Sequence, residues 1–130
     1  MAQDKVFLDA NIILEILLDR KNNLKARKLI AAHAGKLYIS SLTVHIAVYF
    51  GQQEQELSVI KTLLSDYHIE SLTSQDTEWA FNNVRNDDFE DALQLAIAIR
   101  ANCQEFVTFD KTLFDTYKDL ATIKVVLLNK

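Results

Sequence analysis

Short apolar runs alternate along this chain with longer segments in which apolar residues recur every three or four positions. The short runs are typical of strands buried on both faces, and the longer periodic segments indicate helices. The predicted strands are residues 5–8, 37–40, 67–70, 105–108 and 123–128. The predicted helices are residues 11–19, 22–33, 41–50, 57–64, 74–84, 88–101 and 111–117.

This alternation of strands and helices predicts a three-layer α/β/α fold around a five-stranded parallel sheet. In open sheets of this class, ligands bind beyond the carboxyl ends of the strands, at the point where the strand order reverses. An order of 3-2-1-4-5 would make the first and fourth strands neighbours at that point. Side chains that follow these two strands would then face each other.

Several polar residues and glycines are expected to mark the helix ends. A short side-chain oxygen at an N-cap accepts a hydrogen bond from the first turn of a helix. The candidate N-caps are Asn11, Ser41, Asp88 and Asp110. Gly35 is expected to stop the second helix, and Gly51 is expected to break the third. In the helix 74–84, Trp79, Ala80 and Phe81 are expected to face the core.

The composition indicates one ordinary globular domain. A chain of 130 residues leaves no room for a second core. Its net charge of −4 argues against non-specific nucleic-acid binding by a basic surface, although it does not exclude a nucleic-acid substrate. Cys103 is the only cysteine, so no internal disulfide can form, which fits a reducing cytoplasm. No run approaches the ~18 apolar residues of a membrane span, so we expect a cytoplasmic protein with no membrane partner.

Three aspartates stand where the predicted sheet ends or directly beside it. Asp9 and Asp110 follow the first and fourth strands, and Asp91 lies in the first turn of the helix that leads into the fourth strand. Two carboxylates about 4 Å apart repel by roughly 4 kcal/mol at an effective dielectric constant near 20. A divalent cation such as Mg²⁺ or Mn²⁺ removes this repulsion and prefers oxygen ligands. The pattern therefore favours metal-assisted hydrolysis of a phosphodiester.

Each acid also has a structural interpretation. Asp88 with Asp91 resembles a capping box, and Asp110 suits the N-cap of the following short helix. Capping accounts for these residues singly, but it does not account for their collection at one edge of one sheet. Lys111, directly after Asp110, is our candidate for a phosphate contact, whereas the basic residues between positions 20 and 28 are read as a solvated helix face.

Four segments together resemble the PIN-domain ribonucleases, including the VapC-type toxins of bacterial toxin–antitoxin pairs. They are Leu-Asp-Ala-Asn at 8–11, Ser-Ser-Leu-Thr at 40–43, Asp-Phe-Glu-Asp-Ala-Leu-Gln at 88–94 and Val-Thr-Phe-Asp-Lys at 107–111. Their order and spacing agree with the family over nearly the whole chain. The resemblance implies one PIN-like nuclease domain over residues 1–130, with the strand order 3-2-1-4-5.

The resemblance also implies a Mg²⁺- or Mn²⁺-dependent endonuclease that cuts RNA and leaves a 5′-phosphate and a 3′-hydroxyl. The residues carried over as catalytic metal ligands are Asp9, Asp91 and Asp110. Asn11 and Thr108 are carried over as residues that position these ligands or the substrate, and Asp88 is a further candidate ligand. The partners implied are RNA and an antitoxin protein. A homodimer that uses Val48, Tyr49, Phe50 and Trp79 is one option, although these side chains also suit the core.

One departure from the family pattern bears on activity. The family usually carries a glutamate on the helix after the second strand, near His45 or Ile46, and no carboxylate occurs there. His45 on this apolar helix is expected to be a packed residue. Asp87, Asp88 or Glu15 could compensate. The alternative function is therefore a catalytically degenerate PIN-fold module that binds RNA or protein, and a phosphate-accepting signalling domain is a weaker third option.

Overall fold

The computed structural model describes residues 4–128. The strands are β1 (Val6–Leu8), β2 (Leu37–Ser40), β3 (His68–Glu70), β4 (Glu105–Thr108) and β5 (Lys124–Leu127). The helices are α1 (Ala10–Leu17), α2 (Asn23–Ala32), α3 (Ser41–Gly51), α4 (Leu57–Leu64), α5 (Ser74–Asn83), α6 (Phe89–Arg100) and α7 (Lys111–Tyr117). All strand pairs are parallel, and the order is β3-β2-β1-β4-β5. The predicted fold and strand order are confirmed.

Helices cover both faces of the sheet, and the side chains of β1 alternate between these two faces. Val6 and Leu8 pack into one core with apolar residues of α1, α2, α3 and α4. Phe7 points the other way, into a second core with residues of α6 and α7. There its ring stacks on Phe106 of the neighbouring strand, with 5.5 Å between centroids. A strand buried on both faces needs the continuous apolar sequence that β1 has.

The observed N-caps differ from the expected ones at two helices. Asp9, rather than Asn11, caps α1 and accepts a hydrogen bond from the N–H of Ala10. Ser40, rather than Ser41, caps α3 and accepts from the N–H of Thr43. In both places the helix begins directly after the strand, so the cap is the residue that ends or follows the strand.

Two glycines lie at or near the ends of helices, and one aromatic residue differs from its expected burial. Gly35 lies three residues beyond α2 with a φ of 84°, a conformation that glycine adopts without strain. Gly51 is the last residue of α3 and packs against α1. A Cβ at this position would lie 2.7 Å from Cδ2 of Leu17. Phe81 is 69% exposed, so its expected place in the core is wrong, whereas Ala80 is buried as expected. Within residues 4–128, no helix has the length and apolar character that crossing a bilayer requires.

Candidate active site

The carboxyl ends of β1 and β4 bring Asp9 and Thr108 together. Leu8 pairs with Val107 in the sheet, and the N–H of Asp9 continues the ladder by donating to the carbonyl of Val107 over 2.9 Å. Thr108 is the last residue of β4, and Asp110 follows two positions later. Because β1 lies between β2 and β4, this is the point where the strand order reverses.

Hydrogen bonds hold the buried carboxylate of Asp9 from both sides. Its Oδ1 accepts from the N–H of Ala10 over 2.8 Å. Its Oδ2 accepts from Oγ1 of Thr108 over 2.7 Å and from Nδ2 of Asn11 over 3.2 Å. Asn11 also donates to Thr108 Oγ1, and its own Oδ1 accepts from the N–H of Phe109. Asn11 and Thr108 therefore orient Asp9 directly.

Asp110 caps α7, as the sequence predicts. Its Oδ1 accepts from the N–H of Leu113 over 3.2 Å, and its own N–H donates to Thr108 Oγ1 over 3.0 Å. The Nζ of Lys111 donates to Oδ2 of Asp115 over 2.6 Å. The Lys111 side chain is 73% exposed, so its ammonium lies at the surface beside the site.

Asp91 enters the site from the first turn of α6. Asp88 caps this helix and accepts from the N–H of Asp91 over 3.2 Å, which confirms the predicted cap. Oδ2 of Asp91 accepts one long bond of 3.4 Å from Nδ2 of Asn86. The preceding Asp87 has a φ of 62° and is exposed. Asp91 is only partly buried and is the least tightly held of the three aspartates.

The three aspartates influence one another electrostatically. Burial raises the pKa of Asp9 to about 6, against hydrogen bonds from Thr108 and Ala10 that lower it, and the nearby charge of Asp110 raises it further. Burial also raises the pKa of Asp91 to about 7, with added repulsion from Asp88, Asp9 and Asp110. The three carboxylates therefore lie within electrostatic reach of one another. No ion pair within residues 4–128 involves any of them.

The donor chemistry of this cluster suits a hard divalent cation. Carboxylate oxygens that repel one another and lack a cationic partner are stabilised when such an ion binds. In the described part of the chain, however, no three Asp, Glu, His or Cys side chains lie close enough to share a metal ion. Mg²⁺ commonly takes one or two carboxylates directly and keeps several waters, so three ligands in contact are not required.

The structure also settles where the candidates for the missing glutamate lie. His45 is exposed, so the expectation that it packs in the core is wrong. Oε1 of Glu15 accepts from the N–H of Asn22 over 2.9 Å, so this carboxylate is engaged at the start of α2. Glu90 was not predicted, yet its charge raises the pKa of the buried Asp9. Its place in the first turn of α6, next to Asp91, was the available signal.

Comparisons with known proteins agree with this architecture. Residues 6–119 match the PIN domain family. The chain is 28% identical over 125 residues to ribonuclease VapC1 of Aquifex aeolicus (strain VF5), covering 88% of this chain and 87% of that protein.

Two solved structures show the same fold. A toxin–antitoxin complex from Klebsiella pneumoniae contains a chain that superimposes with a TM-score of 0.79 at 18% identity, covering 97% of this chain and 99% of that one. DNA-bound VapBC from Salmonella typhimurium gives 0.69 at 14% identity, covering 98% and 100%.

Proposed function

Because this chain belongs to the PIN domain family, we propose that it is a metal-dependent endoribonuclease and the toxin of a toxin–antitoxin pair. The observation that carries the proposal is that Asp9 after β1, Asp110 after β4 and Asp91 in the first turn of α6 lie within electrostatic reach of one another, with no ion pair to any of them within residues 4–128. RNA as the substrate is supported by the name of the Aquifex aeolicus relative, ribonuclease VapC1. An antitoxin partner is supported by the structural neighbour from Klebsiella pneumoniae, which is a toxin–antitoxin complex.

In this proposal Asp9, Asp91 and Asp110 hold Mg²⁺ or Mn²⁺, directly or through water. When bound, the ion supplies positive charge at the scissile phosphate and makes water a stronger nucleophile. Without the ion, three carboxylates repel a phosphate that approaches the same edge. Cleavage should therefore depend strictly on a divalent cation.

The residues around Asp9 contribute orientation. Thr108 and Asn11 fix its carboxylate, so one of the three oxygen donors has a set direction before an ion arrives. Asp91 keeps freedom to adjust, because its single side-chain bond is long and it is partly exposed. One fixed and one adjustable carboxylate suit an ion that also takes water and phosphate oxygens.

Lys111 remains the proposed phosphate contact. Its ion pair with Asp115 is exposed, and exposed pairs contribute little to stability because water and salt screen them. A phosphate at the adjacent site can therefore compete for the ammonium at little cost. Asp88, which caps α6 and is exposed, stays a candidate for a further ligand.

A catalytically degenerate PIN-fold module is the second candidate function. Two observations favour it: α3 carries no carboxylate, and residues 4–128 contain no group of three metal-ligating side chains in close contact. Such a module would keep the fold and bind RNA or protein without cutting it. Metal binding and cleavage separate the two functions.

The test is a nuclease assay on RNA in EDTA, Mg²⁺ and Mn²⁺, with manganese binding measured by calorimetry. We compare wild type with Asp91→Asn and with Asp66→Asn, which removes the same charge from an exposed position between α4 and β3. Cleavage by wild type and Asp66→Asn, but not by Asp91→Asn, supports the nuclease. Normal cleavage by a pure Asp91→Asn protein contradicts it, and the absence of both cleavage and manganese binding in wild type favours the degenerate module.

A further inference from the structure

A buried amide ties α6 to the end of β2 and the start of α3. Gln94 is only 1% exposed, and both polar atoms of its side chain are used. Its Oε1 accepts from Oγ of Ser40 over 2.7 Å, and its Nε2 donates to Oγ1 of Thr43 over 3.1 Å. Ser40 Oγ in turn accepts from the N–H of Thr43 over 3.0 Å. Together with the backbone N–H of Thr43, the three side chains form a closed polar ring of hydrogen bonds, and Ser40 and Thr43 are buried as well.

This polar ring lies next to the acidic site. Gln94 follows Asp91 by three residues, and residues at that spacing share a face of a helix. Phe7 pairs with Tyr38 between β1 and β2, so the same register extended by two residues sets Asp9 level with Ser40. The ring therefore connects the segment that carries Asp91 to the strand end beside Asp9.

The other buried contacts of α6 do not fix its rotation well. Its buried side chains are mostly small or aliphatic, and hydrophobic contact has no preferred direction. They are Ala92, Leu95, Ala96, Ile97 and Ala98. Hydrogen bonds depend on angle as well as distance, and a buried amide that loses its partners destabilises the fold because no water replaces them. The ring is therefore a directional contact that sets the rotation and height of this part of α6 against β2.

We infer that Gln94 is a positioning residue, which, through Ser40 and Thr43, holds α6 so that Asp91 faces Asp9. The inference rests on the proposed nuclease function. Gln94 reaches neither substrate nor ion in this role. It acts only through the direction in which the first turn of α6 presents its carboxylate.

The far end of α6 provides a matched control. Arg100, the last residue of α6, donates from Nε to Oδ1 of Asp76 over 2.9 Å and from an Nη to the carbonyl of Ser71. This contact also anchors α6 through hydrogen bonds to a buried side chain, because Asp76 is 2% exposed. It lies nine residues from Asp91, at the opposite end of the helix. Its loss should weaken the fold without turning the first turn of α6.

The experiment compares wild type with Gln94→Leu, Thr43→Val, Thr43→Ser and Arg100→Gln, at a temperature where circular dichroism shows every variant folded. We measure kcat and KM for RNA cleavage, and manganese affinity by calorimetry. Gln94→Leu and Thr43→Val should lower kcat and manganese affinity about tenfold, the lower end of the loss seen when residues that orient metal ligands are changed. KM should not change. Thr43→Ser, which keeps the hydroxyl, and Arg100→Gln should stay close to wild type.

Wild-type kcat and manganese affinity in Gln94→Leu would overturn the inference, as would an equal loss in Arg100→Gln. If Gln94→Leu does not fold, the Thr43 pair decides, because valine and serine there differ in the hydroxyl that Gln94 binds. If wild type binds manganese but does not cut RNA, the nuclease proposal is contradicted. The manganese affinities of the variants then still decide whether Gln94 positions Asp91. A wild type that binds no manganese overturns both.

Discussion

The hydroxyl of Thr108 donates to Oδ2 of Asp9 over 2.7 Å, across the ends of two neighbouring strands. Oγ1 of Thr108 itself accepts hydrogen bonds from Nδ2 of Asn11 and from the N–H of Asp110. One hydroxyl therefore connects the residues that follow β1 with those that follow β4. Neither strand alone fixes the direction of Asp9, and the pairing of the two does.

Replacing Thr108 by valine tests this connection. Valine keeps the shape of threonine but leaves the Asp9 carboxylate without its shortest hydrogen bond, so we expect manganese affinity to fall about tenfold. The loss of a partner for Asn11 and for the N–H of Asp110 should lower the free energy of unfolding by about 1–3 kcal/mol. Calorimetry and urea unfolding measure the two effects.

Thr62→Val is the control, because Thr62 is exposed and its hydroxyl only donates to the carbonyl of Ser58 within α4. Its manganese affinity and stability should stay close to wild type. An unchanged manganese affinity in Thr108→Val would mean that Asp9 does not need this hydroxyl to bind the ion.

The raised pKa of Asp9 makes a signed prediction for stability without metal. In the folded state this pKa is about 6, above its ordinary value of 3.8, so the folded protein retains a proton that the unfolded chain has lost between these pH values. The contribution of Asp9 to stability therefore decreases as the pH rises from about 4 to about 6. Asp9→Asn removes the buried charge. The free energy of unfolding of the variant, relative to that of wild type, should therefore increase by on the order of 2 kcal/mol between pH 4 and pH 7.

Urea unfolding of both proteins in EDTA at the two pH values gives this difference. The quantity to compare is the change in the variant-minus-wild-type difference, which cancels the titrating groups that do not interact with Asp9. The pKa of Asp91, which the Asp9 charge raises, falls in the variant and changes the difference in the same direction. A difference that is constant with pH, or that moves in favour of wild type as the pH rises, would refute the prediction.

The fold follows from the sequence more directly than the site does. The ranges 37–40, 57–64, 105–108 and 111–117 are the same in prediction and structure, because apolar runs and periodic segments define them locally. Local patterns do not define the order of the strands. The order 3-2-1-4-5 was proposed for the sheet and is also the order that the resemblance to the family implies. Within these elements, burial of a single side chain depends on which neighbour covers it, and the sequence does not state that.

The site shows the same division. The acids at positions 9, 91 and 110 were predicted because they follow or precede strands, whereas the ring around Gln94 was not. A glutamine in an apolar helix is an ordinary polar residue until Ser40 and Thr43, more than 50 positions away, are known to face it. Glu90 was missed for a similar reason, since its effect on Asp9 depends on the rotation of α6.

Asp76 should give the opposite pH dependence from Asp9. Burial alone would raise its pKa, but hydrogen bonds from Arg100 and Thr73 outweigh this and lower it. A lowered pKa means that stability is present above about pH 4 and is lost as the pH falls further. Asp76→Asn should therefore lower the free energy of unfolding by about 2 kcal/mol at pH 7. This loss is smaller than for a fully buried ion pair because Arg100 is partly exposed. At pH 3 the loss should be clearly smaller than at pH 7. Equal costs at both pH values in urea unfolding would contradict the ion pair as the cause.

Lys111 and Asp115 form an exposed pair at the edge of the site, and the two partners make opposite predictions for RNA binding. Lys111→Ala removes the proposed phosphate contact and should raise KM without changing manganese affinity, because within residues 4–128 the ammonium pairs with Asp115 and with none of the three aspartates. Asp115→Asn releases the ammonium and should lower KM. Both effects should shrink as salt is raised, since each phosphate contact contributes to the salt dependence of binding. Steady-state cleavage at two salt concentrations measures them, and a KM that moves in the same direction in both variants would exclude Lys111 from phosphate binding.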